Sequence, residues 1–192
     1  MTFAETYDTH FHFVWKTLRH LGVPEDDLAD VAQEVFLIVH RRLPHFEYRS
    51  RMTTWLFSIC IHAARDRRRK AHVRREVAHA DLDHTDLDVT DPSRDQLAGL
   101  ERKDDLALFE AGLEGMNLDQ RAVFLLFEIQ GERSEDIANA LEIPLGTVYS
   151  RLRLARETFR RGVLRARARR DSPVRRGNTT RHESPPGEEK HS

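Results

Sequence analysis

Apolar residues recur through this chain at the i, i+3, i+4, i+7 spacing of helices, and no convincing strand alternation or long repeat interrupts them. Tyr7, Phe11, Val14, Leu18 and Leu21 fall on one face of a helix predicted over Phe3 to Leu21, which Gly22 and Pro24 end. A second helix opens at Pro24 with Glu25, Asp26 and Asp27, the charge sign that suits a helix N-terminus. Its stripe of Leu28, Val31, Ala32, Val35, Phe36 and Val39 packs inward, leaving Asp30, Gln33, Glu34 and Leu37 to meet a partner. Pro44 breaks the pattern, HFEYRSRMT reads as a loop, and Thr53 or Thr54 is expected to cap a third helix carrying Trp55, Leu56, Ile59 and Ala63.

Beyond an apolar-poor stretch containing Asp91, Pro92 and Ser93, helical pattern returns in LALFEAGLEGM, LDQRAVFLLFEIQ and SEDIANALEI. In the last of these, Ser134 is expected to cap a helix with Glu135 and Asp136 in its first turn and Ile137, Ala138 and Leu141 turned inward. A turn of Glu142, Ile143, Pro144 and Leu145 leads into a helix beginning at Gly146 and Thr147, which is the plan of a helix-turn-helix. At about 100° per residue, Val148, Leu152, Ala155 and Phe159 form its buried side. Thr147, Tyr149, Ser150, Arg153 and Leu154 face outward, with Arg151 and Arg156 at the edges. Hydroxyls and guanidiniums on an exposed helix suit base edges and phosphates, and one bidentate arginine contact to guanine discriminates by about 1–3 kcal/mol.

The fold class that follows is all-α: two small helical domains joined by a flexible acidic linker, the C-terminal one containing the helix-turn-helix. Boundaries are expected at 1–75, 76–104 for the linker, 105–170, and 171–192 for a disordered tail. Only 39% of the 192 residues are hydrophobic, so neither core is large.

Charge sharpens this picture. The net charge of −1 hides segregation: RDRRRKAHVRR from Arg65 is basic, the stretch from Glu76 to Asp105 is acidic, and Arg151 to Arg170 is basic again. Two polyanion-binding modules flank an acidic connector. With no apolar run of membrane-spanning length and no signal-peptide pattern at the start, the expected location is the cytoplasm. Cys60, the single cysteine, lies in WLFSICI and reads as a buried small side chain. His10, His12, His79 and His84 lack the ligand spacing of a zinc site, and no phosphate loop or nucleophile motif occurs, so neither enzyme activity nor a cofactor or metal is expected.

SEDIANALEIPLGTVYSRLRLARETFRR resembles the last conserved region of extracytoplasmic-function (ECF, group IV) sigma factors of the sigma-70 family, and DDLADVAQEVFLIVHRRL followed by TTWLFSICIHAARDRRRK resembles their first. Order and spacing match over about residues 5 to 75 and 105 to 165. The resemblance implies a non-enzymatic protein that binds core RNA polymerase, at the clamp coiled coil and flap regions, and directs it to −10 and −35 promoter elements. It also implies restraint by an anti-sigma factor. Asp30, Gln33, Glu34 and Leu37 would lie on the helix that meets the clamp, together with Phe36, which reads more simply as core.

HFEYRSRMTTWL resembles the part that captures an unstacked base, with Phe46, Tyr48, Arg49, Arg51 and Trp55 as contributors and His62, Arg65 and Arg68 further along the −10 surface. Arg67 and Arg69 would join Arg65 and Arg68 in holding phosphates. The −35 surface would comprise Thr147, Tyr149, Ser150, Arg151, Arg153, Leu154 and Arg156. His62 stands where the family commonly has asparagine, which bears on −10 recognition; Glu142 stands where glycine is frequent, at a cost on the order of 1 kcal/mol if the turn needs positive φ; and Tyr149 and Leu154 stand where basic residues are frequent, which points to an unusual −35 sequence. The acidic connector reads equally as an imitation of nucleic acid in a basic channel and as a solvated tether. The rival reading is a stand-alone helix-turn-helix regulator, which would need to dimerise and would leave the first 75 residues without a role.

Overall fold

The structure is a computed structural model that describes residues 2–48, 50–77 and 96–171, with side chains over 2–48, 50–72 and 103–170. Seven α-helices follow one another: α1 (Phe3–His20), α2 (Glu25–Arg42), α3 (Met52–Val77), α4 (Gln96–Glu114), α5 (Leu118–Phe124), α6 (Ser134–Leu141) and α7 (Leu145–Asp171). Among the described residues there is no strand. A 3-10 turn over Leu43–His45 follows α2, and α5 continues as a π-helical turn over Leu125–Ile129. The acidic connector and the tail lie outside the described residues, although α3 reaches Val77 and α4 already begins at Gln96.

Local sequence explains the ends. Thr2 and Glu5 form a reciprocal capping box on α1, and Asn117 with Gln120 forms another on α5. α2 begins after Pro24 with three acids and ends with His40, Arg41 and Arg42, matching both ends of its dipole. Neither threonine expected to cap α3 is at its start, because the helix begins at Met52 and the Thr54 hydroxyl donates to Glu132 instead. Likewise Ser134 is the first residue of α6; the extended residue before it is Arg133, whose side chain makes no capping hydrogen bond.

The first half is a three-helix unit. Leu28, Val31, Ala32, Val35, Phe36 and Val39 of α2 are all buried, against Val14, Leu18 and Leu21 from α1 and Leu56, Phe57, Ile59 and Ile61 from α3. Cys60 is fully buried in the same core, and burial pushes its thiol well up from the ordinary range, leaving it an inert packing group. Tyr7 and Phe11 depart from expectation. Both stay partly exposed, at 39% and 36%, because α2 sets Ala29 and Gln33 opposite them and leaves the groove unfilled.

In the second half α4 and α7 cross almost backbone to backbone. A methyl group at Gly162 would sit 2.2 Å from the Ala111 carbonyl oxygen and 2.9 Å from Gly112 Cα, while one at Gly112 would strike the Phe159 ring at 2.3 Å. The crossing holds Phe159 between Phe109, at 5.9 Å, and Phe124, stacked at 4.8 Å. Phe159, expected to be fully on the inner side, is partly buried against the core. Leu113, Val123, Leu126, Ile137, Leu141, Val148, Leu152 and Ala155 complete this core.

The two halves touch. Arg19 pairs with Glu110, the His20 ring meets Phe109 edge-on at 5.2 Å, and the Arg121 guanidinium donates to the His20 carbonyl at 3.4 Å. Burial lowers the pKa of His20 from 6.5 to about 4, with Lys16, Arg19 and Arg121 adding to the effect.

Two predictions follow from the packing. Alanine is the better helix former by up to about 1 kcal/mol, yet at Gly162 the methyl meets backbone that cannot move aside. Gly162→Ala should therefore destabilise the chain in urea denaturation by about 2 kcal/mol; a stabilised variant would contradict the crossing. Because His20 titrates lower when folded than when unfolded, the unfolded chain binds more protons between pH 6.5 and about 4, and stability is lost as pH falls through that window. Between about pH 7 and pH 5, wild type should lose on the order of 1 kcal/mol more than His20→Gln.

Candidate nucleic-acid interface

The C-terminal candidate surface is built on the turn between α6 and α7. Glu142 sits at φ 54°, ψ 45°, in left-handed backbone. The Ile143 N–H donates to the Ala138 carbonyl at 3.0 Å and the Glu142 N–H to that of Asn139 at 3.3 Å, the paired bonds that close a helix of this kind. The position does require positive φ, so glutamate occupies a site better suited to glycine. α7 then starts at Leu145, one residue earlier than expected, with the Pro144 carbonyl accepting from Thr147 and Val148.

On α7 the buried side is Val148, Leu152 and Ala155, as the periodicity requires. Tyr149 and Leu154 are 53% and 40% exposed, Ser150 and Arg153 are exposed, and Thr147 is half-buried. Arg153 has no ion-pair partner among the described residues. The Ser150 hydroxyl donates to the Thr147 carbonyl at 3.0 Å, leaving its lone pairs rather than its proton on offer.

The two arginines at the edges are already engaged. Arg156 bonds Glu128 at 2.6 Å and lies over the Phe127 ring at 5.1 Å, both presented by the π-helical turn. Arg151 pairs with Asp119 at 2.8 Å, and its Nη1 is buried without a hydrogen-bond partner.

The N-terminal candidate surface gathers around the start of α3. Phe46 lies 4.8 Å from Tyr48 and 4.7 Å from Trp55, ring centre to ring centre. Tyr48 is 65% exposed and held at φ 55°, a strained backbone for a bulky residue. Trp55 serves both roles open to it, since it packs partly against the core and carries Phe46 on its face. Arg49 lies outside the described residues. His62 and Arg68 are exposed, about two and about three and a half turns along α3 from Trp55. Arg51 approaches Glu132 at 3.7 Å, and Arg65 bonds the same Asp119 that holds Arg151, at 2.9 Å. Arg67 pairs with Asp27 at 2.5 Å and Arg69 with Asp66 at 3.1 Å.

Asp30, Gln33, Glu34 and Leu37 are all exposed on α2, with Leu37 at 52% and Glu34 near Lys70 at 3.4 Å. Beside them runs the groove of about 630 Å³ between α1 and α2, lined by Phe3, Tyr7, Phe11, Trp15 and Phe36. Periodicity places Tyr7 and Phe11 on the inner face, and the small Ala29 that also lines the groove is the signal that they stay partly open. Also missed was Arg121, which lines a junction cleft of about 590 Å³ with Arg67 and Arg68 and donates to the Met116, His20 and Glu114 carbonyls. Burial lowers its pKa, Arg68 lowers it further, and Glu114 opposes. Among the described residues no three histidine, cysteine or acidic side chains cluster to hold a metal, and no helix is long and apolar enough to cross a membrane.

Two aromatic, basic surfaces on separate helical units are the layout of a bipartite nucleic-acid binder, and family comparison decides which. Residues 6–74 match Sigma-70 region 2, and residues 106–159 match Sigma-70, region 4. The chain belongs to the ECF sigma factors. It is 33% identical over 142 residues to the ECF RNA polymerase sigma factor SigX of Bacillus subtilis, covering 73% of this chain and 72% of that one. It is 31% identical over 160 residues to the RNA polymerase sigma factor NccH of Alcaligenes xylosoxydans xylosoxydans, covering 80% and 82%.

The fold is similar to that of the sigma factor RpoE in complex with the anti-sigma factor NepR from Bartonella quintana, with TM-score 0.69, 20% identity, and 84% and 96% of the two chains covered. A structure of CnrH in complex with the cytosolic domain of CnrY gives TM-score 0.54 at 24% identity, over 88% and 89%. This chain is accordingly an alternative sigma factor that directs transcription initiation, and the region 2 match over residues 6–74 gives the N-terminal half the role that a stand-alone regulator would have left empty.

Glu142 allows a direct check of the turn. Replacing it with glycine should stabilise the chain by about 1 kcal/mol in thermal denaturation, and a loss of stability would show that the left-handed backbone is not what limits this turn.

Proposed function

We propose that residues 1–75 bind core RNA polymerase and open the −10 element, that residues 105–170 read the −35 element, and that the segment 76–104 tethers the two. The observation that carries this reading is the pairing of an aromatic cluster at the start of α3 with an exposed Tyr149, Arg153 and Leu154 face on α7. Tethering makes the second DNA contact intramolecular, so two weak sites suffice.

On the −10 side, Phe46, Tyr48 and Trp55 offer ring faces for an unstacked base, and Arg51 and His62 offer donors beside them. Base flipping costs a few kcal/mol, which stacking of this kind offsets at about 1–3 kcal/mol per base. Arg49 would belong to the same loop. Arg65 and Arg68 bind phosphates, which gives affinity without sequence choice. On the −35 side, Arg153 reads base edges, Leu154 and Tyr149 supply apolar contact, and Thr147, Ser150, Arg151 and Arg156 position the helix.

Polymerase meets Asp30, Gln33, Glu34 and Leu37, and the aromatic groove beside Leu37 extends that contact with apolar area. The flap is the polymerase contact we assign to the C-terminal half. The chain does no covalent chemistry of its own and works in the cytoplasm. A partner of the anti-sigma class restrains it, a reading supported by the presence of NepR and CnrY in the two similar structures.

In vitro transcription with bacterial core polymerase on a randomised promoter library tests the assignment. Transcripts should depend on this protein and enrich a two-part motif; a competent core showing neither binding nor dependent initiation would overturn it. Arg153→Ala should relax preference at one −35 position by about 1–3 kcal/mol, whereas Arg68→Ala should weaken binding evenly across sequences and reduce the salt slope by about 1. Leu37→Asp should weaken core binding at least about tenfold with the fold intact by circular dichroism.

A further inference from the structure

We propose that the cleft beside Arg121 is a binding site for a small polyphosphate anion, held between guanidinium groups of α3 and α5. The site is separate from the promoter surfaces, with Arg68 common to both.

The cleft holds about 590 Å³, within the range of about 300–1,000 Å³ typical of small-ligand pockets. Its α3 wall is Ala64, Arg67, Arg68 and Ala71, the i, i+3, i+4, i+7 spacing that makes one helix face. A stripe of this kind turned toward a neighbouring element is ordinarily apolar. Here two arginines occupy its middle, and the alanines on either side leave room that longer side chains would fill.

Arg121, from α5, adds a third guanidinium. Of its five N–H groups, three donate to the carbonyls of Met116, His20 and Glu114, at 3.3, 3.4 and 3.5 Å, which leaves two uncommitted. Gly22, at φ 86°, lies against the same group. A methyl there would come within 2.7 Å of Arg121 Nη1, so the wall is bare at this point.

Charge is not balanced inside the cleft. Asp27 neutralises Arg67 at 2.5 Å, but among the described residues neither Arg68 nor Arg121 has a carboxylate within ion-pair distance. Burial and the neighbouring Arg68 disfavour the Arg121 charge, and Glu114 opposes them. Two unmatched like charges in a sheltered cleft are costly to the fold. A monovalent anion offers one charge where two are unmatched, whereas a pyrophosphate group has oxygens enough to meet α3 and α5 together. Guanidinium forks take phosphate oxygens two at a time, which suits this ligand class. Leu21, Val23 and Met116 add apolar surface that a nucleoside attached to the phosphates would cover.

Calorimetric titration of the full chain with inorganic pyrophosphate, without DNA or polymerase, tests the site. One pyrophosphate should bind per chain and raise the melting temperature as it saturates. Ala71→Glu, which brings a carboxylate into the cleft, should abolish binding, and Arg68→Gln should weaken it about tenfold. Neither residue belongs to the buried core, so circular dichroism should show the fold intact in both variants. A wild-type chain that binds no pyrophosphate overturns the proposal. Binding that Ala71→Glu leaves unchanged overturns it too, since the anion would then sit elsewhere, on the exposed arginines of α7. Nucleoside triphosphates titrated in parallel separate the two sources of this chemistry: affinity above that of pyrophosphate assigns the cleft to nucleotides, and equal or lower affinity assigns it to the free ion.

Discussion

The orientation of the exposed face of α7 depends on the close crossing of α4 and α7. Two glycines let the backbones approach until a carbonyl oxygen occupies the space of a side chain. That distance seats Phe159 between Phe109 and Phe124, and Phe124 in turn immediately precedes the π-helical turn that carries Phe127 and Glu128 toward Arg156. Widening the crossing would unseat Phe159 first and then the base on which the exposed arginines are displayed. The exposed residues of α7 are not themselves the ones that fix their direction.

A second dependence runs through the junction. Its contacts include ion pairs, a ring edge and hydrogen bonds to backbone, and interfaces of this polar kind allow relative motion of the units they join. An apolar seam would have held the two halves more rigidly. Arg121 shows the compromise well: its guanidinium is spent on three carbonyls, one of them from the other half, and burial with Arg68 nearby disfavours its charge. Such a group joins two units without welding them.

Much of the fold was legible because apolar periodicity is a direct record of burial. The α2 stripe and the inner side of α7 are buried nearly as the spacing requires. Where reading failed, something outside the local window decided. Tyr7 and Phe11 satisfy the helical pattern, but their burial depends on the size of residues on α2. Thr54 has the chemistry of a cap and is claimed by Glu132, 78 positions away. Ser134 lost its capping role to a shift of one residue set by the extended backbone at Arg133. The exposed −35 residues followed from angle alone, whereas the engagement of Arg65 and Arg151 by Asp119 is long-range and left no periodic trace.

Charge balance takes on a different meaning once these pairings are seen. A net charge of −1 in a protein that binds a polyanion looks unfavourable. Among the described residues, however, several acids are placed against arginines: Asp119 on Arg65 and Arg151, Glu128 on Arg156, Glu132 near Arg51. Each such pair offsets a guanidinium charge locally, and the more exposed of them contribute little to stability. Arg68 and Arg153, on different helices, are exposed without such an ion pair among the described residues, and attraction from cations so placed is weak and screened by salt.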